Sequence, residues 1–425
     1  MAIAIRKLPI VPLQVPASPS LVALAEETKG AIDSLVGAIE QKKGGMRRRE
    51  RAPIIKHSVI EVYGELANVV EQMKKVYSPA IITRANGERV NFGRIPSGIL
   101  SADLCLAGGL MASRGSMIYG NKSAGKSTIA ARFVAAAQRA YPDKFAIWMD
   151  IEGTFDPPWA AMQGVDLDRL HIVEPETGES AVDIADALLR TMEVCIIVTD
   201  SIAFLTPMKE IISSAEDSFP GIHARLIGNY LRRVNATLLV ERHRQHYPVV
   251  LHLNQFRMSI GVMFGDPRVL PGGKALEFAT TQQIEISNKE HTNAEKTKGE
   301  KGAAPPSGDE KADKGTTVVY NEHSIKITKD KSGGRFKEGR FVLVRDESYG
   351  LPVGYVNQVR SIISFGLSSG VLDGHPTSFS VVDDPFDGKF RSAADFSKFL
   401  VDDGTRERGI VSRIVDTYRK KWGVT

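Results

Sequence analysis

The chain has 425 residues, 42% apolar and 25% charged, an ordinary globular composition that allows one large domain with appendages or two to three smaller ones. No apolar run is long enough to span a bilayer, and Cys105 and Cys195 sit among apolar neighbours without metal-ligand spacing, which excludes a membrane span and a disulfide framework and predicts a reducing, cytoplasmic setting. The net charge of +5 and pI near 9.0 favour a polyanionic partner without deciding for one.

Residues 1–17, rich in proline, read as irregular and as no secretory leader. "SPSLVALAEETKGAIDSLVGAIEQKK" predicts a helix capped by Ser18, with Leu24, Thr28, Ile32, Leu35 and Ile39 on one stripe. The basic hinge "KKGGMRRRERAP" follows, equally readable as a solvated linker or a nucleic-acid contact, so residues 1–57 form an N-terminal extension. A second helix is expected over "SVIEVYGELANVVEQMKKVY", with Val59, Val62, Tyr63, Leu66, Val69, Val70 and Met73 on its apolar face. From Ile81 to Ile286 short apolar runs alternate with helical patterns, the mark of an α/β domain; "SMIYG", "FAIWMD", "RLHIV", "VCIIVTD", "VVLHLNQ" and "QQIEIS" are its candidate strands. Residues 288–315 lack apolar periodicity and predict a disordered insert. Strands resume at "TTVVYNEHSIKITKDK" and "GRFVLVRD", and residues 346–425 read as a small C-terminal α/β domain.

The chemistry is concentrated in Gly120-Asn121-Lys122-Ser123-Ala124-Gly125-Lys126-Ser127, followed by Thr128, between an apolar run and a helix. This is the spacing of a phosphate-binding loop. Its glycines turn backbone N–H groups inward around phosphate oxygens, and the helix that follows presents its positive end to the same charge. Lys126 would neutralise the β- and γ-phosphates, and the Ser127 hydroxyl would complete the coordination of Mg²⁺. Asp200, at the carboxyl end of "VCIIVTDS", supplies the second metal-site oxygen, making Ser127 and Asp200 the metal pair. In "AIWMDIEGTFDPPW", Glu152 is placed to orient or deprotonate the water attacking the γ-phosphate, with Asp150 in a supporting hydrogen bond.

These motifs, together with "IPSGILSADLCLAGGLMASRGSMIYGNKSAGKST" and "NQFRMSIGVMFGDPRVLPGGKALEF", resemble the bacterial RecA recombinase family from about Val59 into the C-terminal region. The resemblance implies a P-loop NTPase core of RecA type over 94–345, with a largely parallel central sheet flanked by helices, a helical oligomerisation arm over 58–93 and the small C-terminal domain. It implies ATP and Mg²⁺ as cofactors and Glu152 as the water-activating base. Asp156 would bond the adenine amino edge, Trp159 would stack on the base where the family commonly has tyrosine, and Gln255 would sense the γ-phosphate. DNA would meet Arg225 and Arg232, which lie two helical turns apart, and a loop carrying Arg257, Met258, Ile260, Gly261, Val262, Met263, Phe264, Gly272 and Gly273. Arg268 of the same loop could also meet phosphates, and a first DNA loop would run from Met208 to Gly221. Lys329 and Lys331, alternate residues at a strand edge, would reach the ATP site of a neighbouring subunit.

The function so implied is ATP-dependent homologous pairing and strand exchange by a head-to-tail helical filament on single-stranded DNA, with double-stranded DNA as second partner and no membrane. The setting would be a bacterial cytoplasm, or that of a host for a phage-encoded relative. The alternative is a ring-forming regulatory or motor ATPase of the same fold without strand exchange. Departures from the family pattern are Lys274 and Glu277, where Asn and Lys are common, Gly228 in place of a small hydroxyl residue, and the longer, more basic "VERHRQHYPVV".

Overall fold

The computed structural model describes residues 66–76, 93–214, 219, 221–258, 267–292, 317–331, 333–334, 336–383 and 388–423. The chain divides into two compact units, Met1–Met73 and Lys74–Thr425. Helix α1 (Leu66–Val76) lies within the predicted second helix; that helix's first residues, and all of the first predicted helix and basic hinge, fall outside the described residues.

The larger unit opens with a ribbon of β1 (Arg94–Ile95) and β2 (Leu110–Met111), joined through α2 (Leu100–Cys105). Strands and helices then alternate: β3 (Gly115–Gly120), α3 (Lys126–Ala140), β4 (Phe145–Asp150), α4 (Pro157–Met162), β5 (Leu170–Val173), α5 (Gly178–Leu189) and β6 (Val194–Asp200). Helices α6 (Met208–Ile212) and α7 (Ile222–His243) lead to β7 (Val249–Gln255). The narrow ribbon β8 (Arg257–Met258) and β9 (Arg268–Val269) follows, then α8 (Gly273–Ala279). The long strands β10 (Gln282–Thr292) and β11 (Val318–Asp330) precede β12 (Glu338–Val344), β13 (Val356–Asn357) and α9 (Val359–Ser369). The hairpin β14 (Leu372–His375) and β15 (Ser378–Val381) and the helices α10 (Ala393–Asp402) and α11 (Gly404–Trp422) complete the unit.

Nine strands form the central sheet in the order β13-β12-β11-β10-β3-β7-β6-β4-β5. From β10 to β5 every pair is parallel, while β11, β12 and β13 add antiparallel neighbours at one side. A parallel strand covered on both faces reads as a near-continuous apolar run. Every residue of β3 and of β6 is accordingly buried. Alternation sends Trp148 and Ile196 to one face, where they meet Phe133 and Val134 of α3. It sends Ile147 and Ile197 to the other, against Ile227, Tyr230 and Leu231 of α7. Each such buried side chain stabilises the fold by roughly 1.5–3 kcal/mol. This two-sided core fixes the carboxyl ends of β3, β4, β6 and β7 side by side, where an open parallel sheet binds ligands.

The C-terminal elements have an apolar cluster of their own, with Ile362, Phe379, Phe396 and Ile414 packed together with Leu100 and Leu104 of α2. One boundary differs from expectation. Residues 288–292, read above as the start of a disordered insert, continue β10 to Thr292, paired with β11 from His323 back to Val318. Their polar sequence gives no core signal because this end of the hairpin depends on ladder bonds and cross-strand pairs. His291 stacks on Tyr320 with ring centroids 4.4 Å apart and faces Glu322 at 3.7 Å.

Candidate nucleotide site

The phosphate loop leaves the end of β3 and enters α3. A Cβ on Gly120 would lie 2.1 Å from the Ile286 carbonyl oxygen of β10, so only glycine lets these strands pair through the loop's first residue. Gly125 caps α3 with φ of 91°, a left-handed conformation that glycine adopts at little cost. Lys126 is 8% exposed and donates from Nζ to the Asn121 carbonyl at 2.8 Å. Burial lowers its pKa, and the nearby carboxylates of Asp200 and Glu152 oppose that shift. The lysine is thus held across the loop that a triphosphate would fill.

Ser127 Oγ donates to Asp200 Oδ2 at 2.9 Å, which joins the two residues expected at the metal. Burial first, and then the charges of Glu152 and Asp150, push the Asp200 carboxyl up to about 6 against the Ser127 bond and the Lys126 charge. A carboxylate crowded in this way gains by meeting a divalent cation. Among the described residues no group of three or more His, Cys, Asp or Glu side chains could hold a metal. Mg²⁺ does not need one, since it takes one or two protein oxygens and completes its shell with phosphates and water. Ser127 and Asp200 fit that demand.

The catalytic side is equally local. The amides of Ile151 and Glu152 donate to the Asp200 carbonyl at 2.8 and 3.3 Å, tying the segment after β4 to the end of β6. Glu152 Oε1 accepts from Gln255 Nε2 at 2.5 Å, so the last residue of β7 holds the expected base. Asp150 is 5% exposed and accepts from the amides of Thr154 at 3.2 Å and Phe155 at 2.8 Å, the supporting role expected of it. Asp156 caps α4 by accepting from the Trp159 amide at 3.0 Å. The Trp159 indole donates to Thr128 Oγ1 at 3.0 Å, and the Arg345 guanidinium lies 4.8 Å from its ring centre. Trp159 is therefore anchored to the helix of the phosphate loop and carries a cation on its ring.

The lysine pair lies elsewhere. Lys329 is opposite Gln283 in the ladder, level with Met117 of β3, whereas the phosphate loop begins where Gly120 meets Ile286. Three residues of strand, about 10 Å, separate these levels. Strand β11 ends at Asp330, so Lys331 lies just past the strand rather than within its edge, a correction to the alternation expected above. Its amide donates to the Thr281 carbonyl at 3.3 Å. Lys329 Nζ donates to the Glu277 carbonyl at 2.5 Å, at the end of α8, and burial and the charge of Lys331 lower its pKa against the pull of Glu277. The two cations share one locality, but not with their own chain's phosphate loop.

The RecA N-terminal domain family matches residues 64–304. Protein RecA of Mesorhizobium japonicum is 31% identical over 330 residues, covering 77% of this chain and 81% of that protein. This chain belongs to the RecA family.

The remaining expected residues that are described lie on α7, on the β8–β9 ribbon and at the start of α8. Arg225 and Arg232 are exposed on α7. The β8–β9 ribbon carries the flanks of the second loop's sequence, with Met258 67% exposed; Ile260, Gly261, Val262, Met263 and Phe264 lie outside the described residues. Arg257 donates to the Ala203 carbonyl at 3.4 Å and stands 5.6 Å from the Phe204 ring, and Arg268 stands 4.6 Å from the Phe256 ring and 3.7 Å from Glu285. Both arginines are exposed, each beside an aromatic ring. Gly272 and Gly273, with φ of 99° and 62°, turn the chain into α8. The segment expected as the first DNA loop opens as helix α6, after Pro207, with Met208, Ile211 and Ile212 at least half exposed.

Two residues of the site had no local signal. Arg345 follows β12, and His323 lies on β11, where its Nδ1 donates to the Ala124 carbonyl at 3.1 Å. Part of the extra basic segment also proves to be internal. Buried His246 lies 3.2 Å from buried Glu241 and its Nε2 reaches the Val194 carbonyl at 2.8 Å, while Arg244 stays exposed and meets the same glutamate at 3.3 Å from outside. Among the described residues no helix is long and apolar enough to cross a membrane.

Proposed function

We propose that this chain is an ATP-dependent homologous-recombination protein, which assembles head to tail as a helical filament on single-stranded DNA and exchanges strands with a homologous duplex. The observation that carries the reading is the hydrogen bond from Gln255 to Glu152, because Gln255 is followed within two residues by the exposed β8–β9 ribbon. One side chain thereby connects the expected base of ATP hydrolysis to the expected DNA loop.

The chemistry follows from the positions of the groups. Loop N–H groups and Lys126 would hold the triphosphate, and Ser127 and Asp200 would hold Mg²⁺, which when bound offsets charge on the phosphate oxygens. Glu152 would take a proton from water as that water attacks the γ-phosphate. The Gln255 amide has one carboxylate partner, and a γ-phosphate oxygen would compete for it. Its release would free Glu152 and shift the ribbon together. Lys329 and Lys331 would supply fixed positive charge to the phosphates of the adjoining subunit's nucleotide, as an arginine finger does. A site completed in this way demands a heterologous interface, which builds rings or open filaments. Phosphate contacts by Arg225 and Arg232 would supply affinity, and base pairing between strands would supply sequence choice.

Strand exchange between a single strand and a homologous duplex, with and without ATP, tests the proposal, alongside electron microscopy of the same mixtures. ATP-dependent exchange and DNA-bound helical filaments are expected, with exchange lost in Phe264→Ala while ATP binding persists. ATP hydrolysis without exchange by the wild type would overturn it and favour a motor or regulatory ATPase.

A further inference from the structure

We propose that His323 is a positioning residue of the phosphate loop: from outside the β3–α3 unit, its ring N–H holds the Ala124–Gly125 turn in the shape that receives a triphosphate. This rests on the nucleotide-binding reading above and deepens it.

The argument starts from what a phosphate loop has to do with its own backbone. Its N–H groups must point inward, so its carbonyl groups must point away, and a carbonyl turned inward would repel phosphate. A carbonyl turned outward at a buried position needs a donor. For Ala124 that donor is His323, since a carbonyl oxygen only accepts and Nδ1 lies 3.1 Å from it. Among the described residues no hydrogen bond from the loop's own segment reaches that carbonyl. The donor arrives from β11, 199 residues further along the chain.

The fit is tight on every side of the ring. His323 is 1% exposed and stacks on Phe341, with centroids 4.8 Å apart and planes 11° from parallel. A Cβ on Gly125 would come 2.6 Å from His323 Cε1 and 3.0 Å from Nδ1, so the ring edge rests directly on the turn. Nε2 is buried and has no hydrogen-bond partner among the described residues. A histidine whose second nitrogen is left unpaired is a costly choice for mere packing, where leucine or phenylalanine would bury more apolar surface without that cost. The first nitrogen is what the position uses. Burial, with the Arg345 charge adding to it, pushes this imidazole down to about 4, so the ring stays neutral and adds no charge of its own near the loop. With Nε2 unpaired, the neutral proton belongs on Nδ1.

His323→Leu keeps an apolar side chain beside Phe341 and removes the donor, whereas His323→Asn places a side-chain N–H where Nδ1 stood. Binding of a non-hydrolysable ATP analogue with Mg²⁺ is measured by calorimetry on the full chain, with a thermal melt of each ligand-free variant. The leucine variant is expected to bind about tenfold more weakly than wild type and the asparagine variant within about threefold. Leucine binding as tightly as wild type, or asparagine as weakly as leucine, overturns the proposal. A wild type that does not bind the analogue overturns the nucleotide reading and this role with it, which separates the two failures. Should the leucine variant not fold, the wild type labelled with ¹⁵N-histidine decides alone. The Nδ1–H tautomer, with resonances displaced by the analogue, is expected, and an Nε2–H tautomer at His323 overturns the assignment.

Discussion

Asp200 should make metal-dependent nucleotide binding sensitive to pH in a direction and amount that its surroundings set. Its carboxyl stands at about 6 in the ligand-free chain, raised by burial and then by the adjacent charges of Glu152 and Asp150. Mg²⁺ with nucleotide requires the ionised form, so apparent affinity follows the ionised fraction. That fraction is close to one at about pH 7.5 and about a tenth at about pH 5, so affinity should fall about tenfold, or ~1.4 kcal/mol. The effect on folding has the opposite sign. A carboxyl raised by folding contributes stability that is fully present below its unfolded pKa near 4 and is lost as pH rises through about 6. The ligand-free chain therefore loses about 2–3 kcal/mol at neutral pH through this one group. Calorimetric titration with Mg²⁺ and ADP across that range, on wild type and Asp200→Asn, measures the first effect, and ligand-free melts measure the second. The nucleotide's own phosphate titration appears in both proteins and cancels. Asp200→Asn should bind weakly with a flatter profile and melt higher than wild type at neutral pH. Identical profiles for the two proteins would refute the assignment of Asp200 to the metal.

Three further outcomes follow from contacts described above. Gly125→Ala sets a Cβ at φ of 91° and 2.6 Å from the His323 ring, so it should cost about 1–3 kcal/mol in a denaturant melt and abolish ATP binding. Lys329→Ala combined with Lys331→Ala should leave nucleotide affinity of the dilute protein within about twofold of wild type, while DNA-stimulated hydrolysis falls by a factor on the order of 10³. Mixing that double variant with Lys126→Ala should restore part of the hydrolysis, because each supplies what the other lacks; no recovery would place the lysines outside the neighbour's site. Gln255→Ala should retain ATP affinity but lose the stimulation of hydrolysis by DNA, read from steady-state rates with and without a single strand.

The parts legible in the sequence are those whose physics is local. The six apolar runs became strands β3, β4, β5, β6, β7 and β10; β3, β4, β6 and β7 are largely buried parallel strands, which need near-continuous apolar sequence, whereas β5 stands at the sheet edge with no residue buried. The phosphate loop is a short segment whose spacing states its geometry, and Asp200 ends a strand that had to be buried for other reasons. What stayed hidden was set by contacts between distant segments. Nothing near Trp159 announces Arg345, and nothing near Ala124 announces His323. The polar end of β10 carries no sequence signal because its pairing with β11 needs no apolar pattern, and alternation alone does not say that the strand stops before Lys331. Helix α6 is silent in the sequence because a single turn after a proline carries too little periodicity to show.

The separation of Lys329 from its own Gly120 has a numerical consequence for any assembly built this way. If the lysines of each protomer complete the site of the next, as proposed, a row of n protomers would hold only n − 1 completed catalytic centres. The last member would always idle. Turnover per chain should then climb with row length from half its limit at two members toward a plateau, and breaking rows into short pieces should slow hydrolysis without altering a single residue.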